Sequence, residues 1–247
     1  MDNFFIAHLQ DLADRSRNRN CYTFSDFLNP EEQSILLQNK KKLSPFSLFG
    51  GTEGTERQMA RFGSEETLGY QQEFPIVCLL VSPKNRKFAD SLSHRDFLGT
   101  LMGTGIERSQ IGDIVIRENE AYVFVNEKIV PYLCEELQTV KHTTVCCSVC
   151  EKLPGGTLFQ TETVRRIAAS ERLDCIIGAI WHASRSEAGN WITAKKVFVN
   201  GAQCENNSAI IKPYDVISVR GKGKFRYVGV EGNTKKGRIS FAAEIYK

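Results

Sequence analysis

The stretch from Arg172 to Phe225 contains four segments in this order: RLDCII (172–177), SRSEAGNWI (184–192), VFVNG (197–201) and YDVISVRGKGKF (214–225). The first two segments predict short amphipathic helices, and Ser184 followed by Glu187 predicts a capping box at the second helix start. The dipeptide Asn200-Gly201 is the strongest hairpin-turn signal in the chain. This order therefore predicts two helices followed by a basic, hairpin-rich sheet.

Positive charge is concentrated in the same part of the chain. The whole sequence has a net charge of +3, but residues 172–247 contain 13 Lys and Arg against 6 Asp and Glu, a formal charge of +7. The preceding 171 residues carry a formal charge of −4. A basic surface confined to one compact module indicates a polyanionic partner such as RNA.

The candidate RNA contacts are basic or hydrogen-bonding residues at predicted helix starts, strand ends and turns. Arg185 lies just inside a capped helix, where free backbone N–H groups also favour anions. A solvated basic face is the alternative interpretation. The candidates are Arg172, Ser184, Arg185, Lys195, Lys196, Asn200, Arg220, Lys222, Lys224, Arg226, Lys235, Lys236 and Arg238.

Hydrophobic patterning divides the chain into three predicted regions of an α+β protein. Residues 1–70 are predicted as a helical N-terminal region, with a helix start at Asn29-Pro30 and a short helix over Glu56–Phe62. Residues 71–151 alternate in the order β-α-β-β-α-β, with a helix over Phe88–Met102, which predicts a ferredoxin-like middle domain. Residues 160–247 form the predicted RNA-binding domain.

Two resemblances support this division. Residues 172–225 resemble the RNA-binding domain first described in ribosomal protein S-four, also called the alpha-L motif. Nearly the whole chain resembles the YlmH family of bacterial S-four-domain proteins. It departs at Lys195-Lys196 and at Tyr214, where the S-four pattern has glycines. The segments that carry the YlmH resemblance are FGGTEGTER (49–57), HRDFLGTLMGTGIER (94–108), IGDI (111–114), SVRGKGKF (218–225) and GNTKKGR (232–238).

The YlmH resemblance implies a partner and a process. It implies binding to structured ribosomal RNA on the large ribosomal subunit, with peptidyl-tRNA as a further partner. It also implies a role in the rescue of stalled nascent chains, to which C-terminal residues are added. The expected protein is a cytoplasmic monomer without a cofactor.

Several features suggest other chemistry but do not support it. His94-Arg95-Asp96 is similar to a kinase catalytic loop, yet Leu101 stands where that loop needs Asn. A polar helix face is favoured there, with His94, Arg95 and Arg108 as a second RNA contact in the alternative. Cys147 and Cys150 form a single C-x-x-C on a predicted strand, so reduced, inert thiols are expected rather than zinc.

Exposed aromatic residues on the middle-domain sheet could in principle stack RNA bases, as in RNA-recognition sheets. Tyr122 and Phe124 would share one face of a strand, but core packing is the favoured interpretation. No apolar run reaches the roughly 20 residues of a membrane helix. The N-terminal sequence does not match a secretory signal.

Three functions remain open at this point. The first is a non-enzymatic RNA-binding factor on the ribosome, with no catalytic residues and no metal. The second is an RNA-modifying enzyme, because S-four domains also occur on such enzymes. The third is a docking protein in cell division, which rests only on the gene neighbourhood of the family.

Overall fold

The computed structural model describes residues 2–154, 158–159, 161–235 and 237–246. The chain forms two compact units, Met1–Leu158 and Phe159–Lys247, called unit 1 and unit 2 below. The predicted N-terminal and middle regions both lie in unit 1, and the boundary between them near residue 70 stays a prediction. Within the described ranges, no helix combines the length and apolar character needed to cross a membrane.

The first part of unit 1 contains helices and strands. In chain order they are α1 (Asp2–Arg19), β1 (Thr23–Leu28), α2 (Pro30–Gln38), α3 (Lys40–Leu43), β2 (Phe46–Phe49), β3 (Gln58–Phe62) and α4 (Glu65–Leu68). The strands form an antiparallel sheet of order β1-β3-β2. Leu9 and Leu12 of α1 share a buried cluster with Phe62 of β3, so the helix covers one face of the sheet.

The sequence predicts this region only in part. Helices α1 and α2 are confirmed, and Asn29 caps α2 by accepting hydrogen bonds from the backbone N–H groups of Glu31 and Glu32. The short helix predicted over Glu56–Phe62 is wrong, because its last five residues form β3. This strand pairs on both sides, and such tertiary pairing outweighs local backbone preference.

The second part of unit 1 has the predicted βαββαβ order. Its elements are β4 (Ile76–Pro83), α5 (His94–Gly103), β5 (Ile111–Arg117), β6 (Glu120–Asn126), α6 (Val130–Glu136), β7 (Thr139–Val140) and β8 (Thr143–Val149). The antiparallel sheet has the order β5-β6-β4-β8-β7, in which β7 extends the ferredoxin-like arrangement at one edge. Leu79, Val123 and Val125 of the sheet pack with Phe97 of α5 and Leu133 of α6.

Helix α5 begins six residues later than the sequence predicts. Ser93 and Asp96 form a capping box that starts the helix at His94. Phe88, the first residue of the predicted helix, lies outside α5 and is 78% exposed. The capping residues therefore outweigh the apolar periodicity in setting the helix boundary.

Unit 2 contains two helices and a six-stranded antiparallel sheet. Its elements are β9 (Thr161–Ala168), α7 (Leu173–Ile180), α8 (Arg185–Thr193), β10 (Val197–Val199), β11 (Ala202–Gln203), β12 (Val216–Val219), β13 (Gly223–Asn233) and β14 (Ile239–Tyr246). The strand order is β11-β10-β12-β13-β14-β9. The predicted helix pair is confirmed, whereas β9 is not among the strands that the sequence predicts.

The turns of unit 2 follow from local chemistry. Asn200 and Gly201 both adopt positive φ angles, 50° and 78°, as the predicted two-residue hairpin turn requires. Lys195, one of the two lysines that stand where the S-four pattern has a glycine, also has a positive φ, 58°. The turn keeps its left-handed backbone despite the lysine side chain.

Candidate nucleic-acid interface

Two arginines lie at the starts of the two helices of unit 2 and share one carboxylate. Arg172, the N-cap residue of α7, donates to Asp174 through Nε at 3.1 Å and Nη2 at 2.9 Å. Arg185, the first residue of α8, donates through Nε to the same carboxylate at 2.9 Å. Burial alone would raise the pKa of Asp174, but these hydrogen bonds lower it to about 2. The carboxylate is therefore ionised at neutral pH and joins the two arginines. Arg172 and Arg185 are called the arginine pair.

Three further cations lie on the hairpin between β12 and β13, each over an aromatic ring. Their distances to the ring centroids fall within the range of cation–π contacts. The pairs are Arg220 with Phe198 at 5.2 Å, Lys222 with Trp191 at 5.0 Å and Lys224 with Tyr246 at 4.5 Å. The rings restrict the cations while leaving their charge in place, so we call Arg220, Lys222 and Lys224 the hairpin cations.

Helix α8 connects the arginine pair to the hairpin cations. Arg185 begins the helix, and the ring of Trp191, almost two turns later, makes the cation–π contact with Lys222. The pKa of Glu187 is lowered first by the backbone N–H of Ser184, then by its hydroxyl, and also by the charge of Lys222. Arg185 of the arginine pair and Lys222 of the hairpin cations therefore border the same helix.

Two predicted contacts already use their side chains inside the protein. The Ser184 hydroxyl donates to Glu187 at 2.8 Å and accepts from its backbone N–H, which completes the predicted capping box. Asn200 donates to Asp215 at 2.7 Å and accepts from the backbone N–H of Val216 at 2.9 Å. In this arrangement the Ser184 hydrogen is not available to a phosphate, and Asn200 stabilises the hairpin.

The other cations predicted near the hairpin differ in their surroundings. Arg226 is bound to Glu244 through Nη2 at 2.6 Å, and both side chains are largely covered. Lys195 lies 3.3 Å from Glu205, but both are exposed, so this ion pair is weak. Lys196 is exposed in the turn that follows α8. Lys196 is thus better placed for a polyanion than Arg226.

The predicted basic loop lies at the far end of the sheet. Lys235 and Arg238 are exposed in the turn after β13, whereas the hairpin cations are at the start of that strand. Eleven residues of strand correspond to about 33 Å from first to last at roughly 3.3 Å per residue. The structure therefore does not bring this loop together with the hairpin cations. Lys236 lies outside the described residues.

The alternative second contact, in unit 1, consists of residues with different roles. Arg108 donates to the backbone carbonyls of Ile111 and Gly112. Burial, followed by the charge of Arg57, lowers the pKa of Arg108 to about 10. The pKa of His94 is lowered, first by loss of surrounding water and then by Arg108. Arg95 is exposed. Of the three predicted residues, Arg95 is the one best suited to meet a phosphate.

The segments that carry the YlmH resemblance contact one another in unit 1. Asp113 accepts hydrogen bonds from the backbone N–H groups of Glu56 at 2.6 Å and Arg57 at 2.9 Å. A Cβ on Gly51 would lie 2.3 Å from the Phe124 ring. Phe124 is 1% exposed, so the N-terminal loop covers this part of the middle-domain sheet. Core packing, the favoured interpretation of Phe124, agrees with this position.

The cysteines do not converge on one site. Cys147 lies 4.0 Å from Cys134 between sulfur atoms, whereas Cys150 lies next to Cys78. Burial raises the pKa of both Cys78 and Cys147 to about 12, which keeps these thiols protonated. The described part of the chain contains no group of three or more metal-binding side chains.

Two residues that organise the interface are absent from the candidates that the sequence predicts. Asp174 is buried between the two arginines, but in the sequence it is an ordinary acid in a first helical turn. Trp191 packs against the hydrophobic core of unit 2, and its ring also lies under the Lys222 ammonium group. One signal in the sequence could have identified Asp174. It is an acidic residue at a predicted helix start, Arg172 lies two positions before it, and Arg185 begins the next predicted helix.

Comparisons with known proteins give three similarities. Residues 70–152 match the family model described as "Putative RNA-binding domain in YlmH", which falls on unit 1. The chain is 29% identical over 227 residues to "Ribosome-associated protein quality control protein P2" of Bacillus subtilis (strain 168), covering 88% of this chain and 85% of the relative. The structure is similar to "Cell division protein ylmH from Streptococcus pneumoniae", with a TM-score of 0.50 and 18% identity, covering 60% of this chain and 90% of that chain. At 18% identity the last similarity concerns the fold alone.

Proposed function

Because the chain belongs to the YlmH family, we propose that it is a non-enzymatic RNA-binding factor that acts on the ribosome. The observation that carries the proposal is the arrangement of cations in unit 2. Arg185 and Lys222 border one helix, α8, and carboxylate bonds or aromatic rings hold the arginine pair and the hairpin cations in place. Such a surface suits the closely spaced phosphates of structured RNA.

The charge distribution supports unit 2 as the main RNA-binding surface. Residues 172–247 have a formal charge of +7, and residues 1–171 have −4. In unit 1, the buried position of Phe124 argues against base stacking on that ring. Unit 1 then contributes contacts through its exposed edges, with Arg95 as the leading candidate.

The proposed site of action is the large ribosomal subunit in the cytoplasm. The similar Bacillus subtilis protein is named as a ribosome-associated quality control protein, and the similarity extends over 88% of this chain. We therefore place this protein, as a monomer, in the rescue of stalled nascent chains that receive C-terminal residues. Ribosomal RNA and peptidyl-tRNA are its proposed partners.

Crosslinking in cells followed by sequencing of the bound RNA tests the partner. We expect reads from ribosomal RNA of the large subunit and from transfer RNA. Reads spread over messenger RNAs, without enrichment on ribosomal or transfer RNA, would contradict the ribosome assignment.

Co-sedimentation with large subunits tests the surface. The double variant Arg185→Glu with Lys196→Glu is expected to lose co-sedimentation at a lower salt concentration than the unmodified chain does. The reason is that it places negative charge at two exposed interface positions. Unchanged co-sedimentation at every salt concentration would exclude this surface. Product formation in a turnover assay on ribosomal RNA and tRNA would instead favour an RNA-modifying enzyme.

A further inference from the structure

Asp174 is a buried carboxylate in the basic half of the chain. The residue is 3% exposed, and its oxygens accept three hydrogen bonds from two arginines. The Arg172 side chain is partly covered, with 31% exposed, whereas the Arg185 side chain is 63% exposed. A negative charge thus lies beneath one partly covered cation, Arg172, and one exposed cation, Arg185.

Burial of the Asp174 carboxylate favours one arrangement of the two arginine side chains. A buried carboxylate is costly unless it is paired, so Asp174 strongly favours conformations in which both guanidinium groups bind it. A free arginine side chain loses rotamer entropy when it is fixed. The carboxylate fixes both side chains before any ligand arrives, which lowers the cost of binding.

The surroundings of the arginine pair leave room for a ligand group. Arg172 and Arg185 line an open groove of about 490 Å³ together with Asn190, Thr193 and Asn207. Of the guanidinium nitrogens, Arg185 uses Nε for the carboxylate and Arg172 uses Nε and Nη2. A guanidinium has five N–H donors, so each arginine retains donors for a phosphate.

We infer that Asp174 is a positioning residue for RNA binding, which fixes Arg172 and Arg185 side by side so that both can bind RNA phosphates. This inference rests on the proposed function. According to this inference, the negatively charged Asp174 strengthens the binding of RNA, which is itself a polyanion. The inference therefore predicts an effect whose sign is opposite to that of simple electrostatics.

The primary test compares Asp174→Asn with the unmodified full-length chain. The probe is a labelled RNA hairpin, titrated between about 50 and 200 mM salt. Simple electrostatics predicts tighter binding, because the variant removes a negative charge. Positioning instead predicts binding about fivefold to tenfold weaker, together with a salt slope flatter by roughly 0.7 to 0.9 for each phosphate that the variant no longer binds.

Glu231→Gln is the matched control. It also removes one carboxylate paired with an arginine in unit 2, at Arg165, which lies outside the proposed interface. We expect its RNA affinity to equal or slightly exceed that of the unmodified chain. Equal or tighter binding by Asp174→Asn would overturn the inference.

A second variant decides the question if Asp174→Asn does not fold. Arg185→Lys keeps the positive charge on an exposed side chain but removes the planar donors that bind the carboxylate. If Asp174 positions the arginines, the RNA affinity of Arg185→Lys should be close to that of Arg185→Ala. The control variant Arg165→Lys should keep the RNA affinity of the unmodified chain. Wild-type affinity in Arg185→Lys would overturn the inference, and thermal unfolding of each variant verifies that it is folded.

The same titrations separate this inference from the proposed function. Absence of salt-sensitive RNA binding by the unmodified chain would contradict the RNA-binding function itself. Salt-sensitive binding by the unmodified chain, with undiminished affinity in both Asp174→Asn and Arg185→Lys, would contradict the positioning role alone.

Discussion

At the scale of single residues, Gly51 occupies a backbone conformation that other residues adopt only with strain. Its φ is +99°, and a Cβ would lie 2.3 Å from the ring of buried Phe124. Gly51→Ala is therefore expected to lower the free energy of unfolding by about 1–3 kcal/mol. Chemical denaturation of the full chain measures this change.

The control for Gly51 is a second glycine in the same unit. Gly99 lies on the exposed side of α5, and a Cβ added there would have no atom within 4 Å. Because alanine favours the helix, Gly99→Ala is expected to stabilise by about 0.5–1 kcal/mol. Equal effects of the two substitutions would show that the close approach to Phe124 does not matter.

Asp174 also predicts how stability depends on pH. Its folded-state pKa of about 2 lies below the ordinary value of about 3.9, so the group stabilises the fold above pH 4. This contribution, about 2 kcal/mol, disappears as the pH falls from about 4 to about 2. Urea unfolding of the unmodified chain and Asp174→Asn should therefore give free energies that converge across this range. A pH-independent difference would contradict the lowered pKa.

At the scale of elements, the start of α8 allows a test of whether the Ser184 hydroxyl caps the helix or binds a phosphate. The Ser184 hydroxyl both accepts from and donates to Glu187. Ser184→Ala is expected to cost about 0.5–2 kcal/mol of stability while leaving the salt slope of RNA binding unchanged. Ser186→Ala, two positions on, changes an exposed hydroxyl outside the capping box and serves as the control for stability. A flatter salt slope in Ser184→Ala would instead indicate that this hydroxyl binds a phosphate.

At the scale of the whole molecule, the location of charge is expected to matter more than its total. Arg220→Glu with Lys222→Glu reverses two hairpin cations, and Lys40→Glu with Lys41→Glu makes the same charge change on exposed residues of α3. The first pair should weaken binding to an RNA hairpin by at least about tenfold, because it reverses the charge of the proposed phosphate-binding surface. The second pair should have little effect. Equal weakening by both pairs would mean that net charge alone governs binding.

The features that the sequence predicts correctly depend on neighbours along the chain. The caps at Asn29 and Ser184 and the turn at Asn200-Gly201 involve residues at most three positions apart, so their chemistry is visible in one segment. The βαββαβ order of the middle domain follows from apolar periodicity. Strands β1 to β3 escape prediction because their stability comes from pairing between distant segments.

The same distinction applies to the interface. Composition alone shows that the basic residues are concentrated after residue 171, and local patterning predicts two short helices before a hairpin-rich sheet. Contacts between distant segments determine which cations are bound elsewhere, as Arg226 is to Glu244, and which lie far away, as Lys235 does. They also place Asp174 beneath Arg172 and Arg185. The physical reason is that capping and turns are local, whereas burial of a charge depends on residues that folding brings together.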